Sequence, residues 1–250
     1  MFPQTALSQY RNLLFIAYRD QIHVFAPRYP EQTLSEKPEL IIDLPTSRRG
    51  LPGYIEHECP HAVNHLIVAD LGKEEILVVA CDDGDVISYM TRSIGLVIDQ
   101  SIPLRKPWFS QNVGASAWGL AVHTQACLLA VSSNSHRIEV FAPSLWHHES
   151  CDQMLDKCRP QCEDYVESQL CSCDGHWMQM LSDMPGHRLN SWKFSLSAHF
   201  SNVPNLAFCN SDLDREGRFL VSTDIENNTF VWDIYLGHVV HEIEESLPSK

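Results

Sequence analysis

Residues 65–90, HLIVADLGKEEILVVACDDGDVISYM, decide how this chain folds. Three short apolar runs, LIVADL, EILVVAC and VISYM, are separated by a Gly-Lys turn and by the tight acidic turn Asp82-Asp83-Gly84-Asp85. Short runs of β-branched and aliphatic residues bounded by turn chemistry form strands, and an Asp-Gly pair between two of them marks a hairpin. Three antiparallel strands in so short a stretch make most of a four-stranded unit.

Similar pieces lie on both sides. Upstream, LLFIAYR-DQ-IHVFAP (residues 13–27) reads as the inner hairpin of a unit whose other strands are missing or irregular. Within the proline-rich stretch 28–60, residues 40–44 (LIIDL) read as an outer strand followed by a long surface loop. Downstream, GLVIDQSIPL (residues 95–104) is expected to be the outermost strand of the second unit. The third unit has Ser116 to His123 as its innermost strand, then a hairpin in ACLLAVSSNSHRIEVFAP turned at Asn134, Ser135 and His136. Alternation stops over residues 144–190, which read as an irregular insertion before the outermost strand, with short helical stretches at 153–155 or 164–170. From Trp192 a fourth unit follows: His199, NVPNLAFC, RFLVSTD, TFVWDI and HVVHEI. Phe25, Tyr89, Phe141 and Trp232 close equivalent strands.

Four look-alike β units at irregular spacing define the fold class: all-β, a WD-repeat-type β-propeller, partial, of about three to four blades. It spans residues 1–250, with 144–190 as an inter-strand cysteine-rich insertion. A blade buries both faces against its neighbours, so its middle strands are apolar almost throughout, as EILVVAC and CLLAVSS are. Closure is expected to need blades from further sequence or from another chain.

Composition narrows the function classes. A formal net charge of -14 argues against a general polyanion-binding surface, so direct nucleic-acid contact is not expected. There is no run long and apolar enough to span a bilayer, and the first residues lack the pattern of a secretory signal. The expected setting is soluble, nuclear or cytoplasmic, with no membrane partner. Nine cysteines, an odd number partly inside strands, fit reduced thiols better than a disulfide framework.

Trp232-Asp233, with His199 upstream and Ser222, Thr223 and Asp224 between, carries the pattern of a WD blade. There His, a hydroxyl, an acid and Trp form a buried hydrogen-bonded chain that pins the turns, a structural role, because each buried polar group needs a partner. The spacing leaves open which acid joins. Asp83-Gly84-Asp85 fits the regular spacing to Tyr89, with Gly84 supplying a positive φ. As a calcium site its acids would need more oxygens from the fold.

Cys151, Cys158, Cys162, Cys171 and Cys173, with His147, His148 and His176 nearby, admit two readings. One is a zinc site, since thiolate and imidazole are that ion's ligands, and the other is a reduced insertion, since the spacing matches no paired C-x2-C knuckle. His57, Glu58, Cys59, His61 and His65 read as loop or core residues. No nucleophile elbow, phosphate-binding glycine loop, HExxH or dinucleotide fingerprint occurs. The expectation is a non-enzymatic protein with no catalytic residue and no cofactor.

HAVNHLIVADLGKEEILVVACDDGDVISYMT, NVGASAWGLAVHTQACLLAVSSNSHRIEVFA and NVPNLAFCNSDLDREGRFLVSTDIENNTFVWDI together resemble the fungal WD-repeat-like family named for constitutive transcription of the ribonucleotide reductase genes. The resemblance covers roughly residues 60–234 apart from the insertion, and SAWGLAVH and STDI with WDI are its most specific parts. It implies a non-enzymatic regulator linked to expression of those genes. It also implies an adaptor role in a cullin-type ubiquitin ligase, with a large linker propeller as protein partner. Family members are much longer than this chain. Adaptors that dock on the linker often carry W-D-x-R, whereas here Tyr235 follows Ile234, so that role is not carried over to these residues.

Overall fold

The computed structural model describes residues 4–47, 54–55, 57–100, 102–143, 188 and 191–243. Their strands form four antiparallel four-stranded sheets, each a simple meander of consecutive strands. Blade one holds β1 (Thr5–Leu7), β2 (Leu14–Tyr18), β3 (Gln21–Phe25) and β4 (Leu40–Asp43). Blade two holds β5 (Val63–Leu71), β6 (Glu74–Cys81), β7 (Asp85–Met90) and β8 (Phe109–Asn112), with helix α1 (Thr91–Gln100) between its last two strands. Blade three is β9 (Ala117–His123), β10 (Leu128–Ser133), β11 (Arg137–Ala142) and β12 (Trp192–Ser197). Blade four is β13 (Asn205–Phe208), β14 (Phe219–Thr223), β15 (Thr229–Asp233) and β16 (His238–Ile243).

The blades stack face to face. Phe15, Ile22 and Val24 of blade one meet Leu77, Val79 and Tyr89 of blade two. The other face of blade two, with Ile76, Val78 and Val86, meets Leu129, Val131 and Phe141 of blade three. Leu128, Ile138 and Val140 of blade three meet Leu220, Phe230 and Trp232 of blade four. Because side chains alternate across a strand, a strand sandwiched on both sides has no face turned to solvent. β7 and β10 accordingly have no exposed residue.

One register unites the four sheets. The aromatic near the end of each third strand lies opposite a leucine of the second: Phe25 on Leu14, Tyr89 on Leu77, Phe141 on Leu129, Trp232 on Leu220. In blades two to four the intervening turn holds its next-to-last residue at positive φ, and Gly84, His136 and Asn227 occupy that place. At Gly84 a β-carbon would come within 2.5 Å of the Ala115 carbonyl oxygen, so there the backbone approach itself requires glycine.

The structure departs from the sequence reading in three places. Residues 95–104 are not a strand: α1 covers most of them, and the outer strand is β8, whose FSQN has no apolar pattern to announce it. The run reads as apolar because its Ile98 and Leu104 pack into the blade one–two core, Ile98 one helical turn on from the fully buried Ile94. Blade one is complete, its first strand being the three-residue TAL.

The third difference concerns display. Connections between second and third strands, and those leading from one blade to the next, gather at one end of the stack, here the upper end. The link between β7 and β8 and that between β11 and β12 lie at the lower end. The sequence reading puts the loops around residues 50–60 and 106–114 and the insertion at 144–190 on one partner-binding face, yet the strands that bear 50–60 and the insertion end at opposite faces. The candidate helices at 153–155 and 164–170 lie outside the described residues. Arg188, 3% exposed, donates through Nη1 to the Cys127 carbonyl and through Nη2 to that of Ala126, both at 2.8 Å, at the lower end of blade three.

Candidate functional site

At the upper end of blade four the residues predicted from the sequence form one buried chain. Trp232 Nε1 donates to Ser222 Oγ at 2.7 Å, Ser222 Oγ lies 2.6 Å from His199 Nε2, and His199 Nδ1 lies 3.0 Å from Asp224 Oδ2. The proton positions follow from chemistry. Indole only donates, so the serine hydroxyl accepts from it and is free to donate to Nε2; Nδ1 then carries the hydrogen and donates to Asp224. Burial pulls the His199 pKa down, and although Asp224 opposes this, the net shift is downward, consistent with a neutral ring. Burial raises the Asp224 pKa, but hydrogen bonds from Asn228, His199 and the turn backbone outweigh it and hold the carboxyl below its usual range. The acid left open by spacing is therefore Asp224.

Asp233 does different work at the lower end. It receives Arg218 Nε at 2.7 Å and Nη2 at 2.6 Å and accepts from the backbone of Tyr235 and Leu236. Burial pushes its pKa up, and the Arg218 guanidinium with the two backbone donors brings it below the ordinary value.

Blade two has a second pin, which the sequence reading missed by treating His61 as a loop or core histidine. His61 Nδ1 lies 2.7 Å from Asp83 Oδ2. By the shared register, Val79 stands where Ser222 stands, Cys81 where Asp224 stands, and Tyr89 where Trp232 stands. The acid has moved two residues along the turn, and with valine in the serine's place His61 Nε2 has no hydrogen-bond partner among the described residues. The signal was there: a histidine just before an inner strand, 22 residues ahead of an acid in the next hairpin turn.

The acids around it are buried and occupied. Asp82 accepts from Ser116 Oγ at 2.6 Å and Ile55 N at 2.7 Å. Asp85 accepts from Ser47 N and Asn112 Nδ2, both at 2.7 Å, and from Ser47 Oγ. These bonds tie the turn to the incoming loop and to blade three. Burial lowers the His61 pKa, but the Asp83 hydrogen bond and the charges of Asp83, Asp85 and Asp20 prevail and raise it.

A ring nitrogen of His61, Cys81 Sγ and an Asp83 oxygen lie within 4.8 Å of one another, a spacing a metal could use. Burial and the surrounding acids push the Cys81 thiol well above its usual pKa, and His61 Nδ1 is already engaged by Asp83. Cys151, Cys158, Cys162, Cys171 and Cys173 lie outside the described residues. Among the described residues no helix is long and apolar enough to cross a membrane.

Stacked meander sheets with a His–Ser–Asp–Trp pin are the architecture of a WD40-type β-propeller protein. The chain superposes over 97% of its length on one chain of a mitotic checkpoint complex crystal structure, covering 49% of that chain, with a TM-score of 0.54 at 13% identity. The sequence matches the CRT10 family over residues 5–243, and the chain belongs to that family. It is also 28% identical over 123 residues to a WD40 repeat-containing protein of Dictyostelium discoideum, a match spanning 49% of this chain and 12% of that relative's length.

Proposed function

We propose that this chain is a non-enzymatic protein-interaction scaffold whose upper end receives a protein partner. The observation that carries the reading is a set of exposed apolar side chains on loops that buried hydrogen bonds hold still. Phe200, 90% exposed, follows the pinned His199, and Ile225, 61% exposed, follows the pinned Asp224. Tyr54 and Ile55 are exposed on the loop whose backbone bonds Asp82. Large apolar groups on pre-ordered backbone bind partners with little entropy to lose.

Family membership supports a finer reading: a soluble nuclear or cytoplasmic regulator of ribonucleotide reductase gene transcription, serving as a substrate adaptor for a cullin-type ligase. If so, docking on the linker propeller uses other groups than a W-D-x-R arginine, since Tyr235 occupies that position and Asp233 is served by Arg218. The test is affinity capture followed by mass spectrometry with the wild-type chain and with Phe200→Ala combined with Ile225→Asp. A partner held by the first and lost by the second is expected; no partner for a folded wild-type chain ends the reading. The alternative of a zinc-binding or redox-responsive insertion rests on the five cysteines at 151–173. Metal analysis of protein purified without added zinc decides it, about one zinc per chain being required.

A further inference from the structure

Two buried carboxylates of the blade two turn, Asp83 and Asp85, share one imidazole, that of His61. The strand pairing brings them together. Val63 lies opposite Cys81 across β5 and β6, and Asp82 N donates to the Ala62 carbonyl at 2.9 Å, so His61 is laid against residues 81–85. The pin runs through Asp83, which leaves the fully buried Cys81, standing where blade four has its acid, without a part in it. Four carboxylates, those of Asp20, Asp82, Asp83 and Asp85, act on that thiol, so the pocket around it favours a cation.

The same groups make a ligand set. A ring nitrogen of His61, Cys81 Sγ and an Asp83 oxygen lie within 4.8 Å of one another, and Asp85 Oδ2 is 3.8 Å from His61 Nδ1. A tetrahedral ion with bonds of about 2.0–2.3 Å holds its ligand atoms about 3.3–3.7 Å apart, so the set closes on one through shifts of about 1 Å. The ion takes the place of the proton that now bridges His61 and Asp83 across 2.7 Å. Asp85 is already oriented by Ser47 N and Asn112 Nδ2, outer contacts of the kind that ligating carboxylates use. Thiolate beside imidazole selects a borderline-soft divalent ion, zinc above calcium or magnesium.

We propose that His61, Cys81, Asp83 and Asp85 form a structural zinc site at the upper end of blade two, fastening with an ion the turn that blade four fastens through its serine relay. Binding expels the Cys81 thiol proton to solvent, and the Nδ1 proton of His61 leaves with it or, from a neutral ring, moves to Nε2. The metal-free chain keeps the His61–Asp83 pin. The site is separate from the cysteines at 151–173 and from the partner-binding side chains.

The experiment uses the full chain with the five cysteines at 151–173 changed to serine, stripped of metal and titrated with cobalt(II). Uptake of about one ion per chain is expected, with a thiolate-to-cobalt charge-transfer band in the near ultraviolet. Zinc displaces the cobalt and raises the thermal unfolding midpoint. Cys81→Ser abolishes the band and lowers cobalt affinity by about tenfold or more, the loss that even an outer-shell change causes, while the circular dichroism of the metal-free protein is unchanged. Where either variant fails to fold, cadmium-113 NMR of the unaltered chain decides: a resonance at the shift of a single-sulfur site supports the proposal and its absence overturns it. A folded chain that takes up no cobalt, or a band that survives Cys81→Ser, also overturns it. Metal held only when the cysteines at 151–173 are intact belongs to the insertion and ends the proposal, whereas partner capture through Phe200 and Ile225 is read independently.

Discussion

Blades two and four solve one problem with different parts. Each must fix a loop arriving from the previous blade against its own hairpin turn, and each does so with a histidine bonded to an acid. In blade four Ser222 relays the contact on to Trp232, so the pin reaches into the apolar seam. In blade two Val79 and Tyr89 leave no relay, the acid sits two residues later, and three buried acids take up loop backbone and hydroxyl donors instead. The histidine–acid contact is thus separable from the tryptophan seam. A blade that loses the relay keeps its turn by recruiting neighbours, and one imidazole nitrogen goes without a partner among the described residues.

The comparison breaks first at Trp232. Trp232→Ala removes the largest fully buried side chain among the described residues and is expected to cost about 3–5 kcal/mol in urea unfolding. Next, Ser222→Val copies blade two into blade four and strands both His199 Nε2 and Trp232 Nε1. A loss of about 2–4 kcal/mol by the same measurement is expected, and a neutral result would show that the relay contributes nothing.

Smaller, and opposite in sign between the blades, is the response to pH. His199 is shifted below the ordinary imidazole value of 6.5, so its stabilising contribution is complete above 6.5 and is lost as pH falls toward its own pKa. His61 is shifted above 6.5, so its contribution is complete below 6.5 and is lost as pH rises through its own pKa. Proton NMR titration is expected to place the two rings on either side of 6.5. Smallest of all is Tyr89→Phe, expected to change stability by no more than about 0.5 kcal/mol, because the ring's packing and not its hydroxyl serves the seam.

Much of this was legible in the residues. β6, β7, β10 and β11 announce themselves because a strand covered on both faces carries a largely apolar run bounded by turn residues. The blade four pin was legible because WD chemistry needs four particular side chains at near-fixed spacing. β1 and β8 were not, since three residues and FSQN carry too little pattern, and both are held by register against a stronger neighbour. α1 was misread because two apolar residues one helical turn apart look like strand alternation inside a short run. His61 was missed because its acid lies two positions from where the blade four arrangement would put it.

The pairing of β11 with β12 has a consequence for how this architecture can change. The chain leaves the sheet after Ala142 and resumes at Trp192, yet the six residue pairs between the strands keep a continuous register. The entropy of joining two strand ends grows only with the logarithm of connector length, about 0.6 kcal/mol per doubling. This junction is therefore a port where sequence can be spliced in or lengthened cheaply, on the face turned away from the pinned loops, so new appendages can be acquired there while the opposite surface stays as it is.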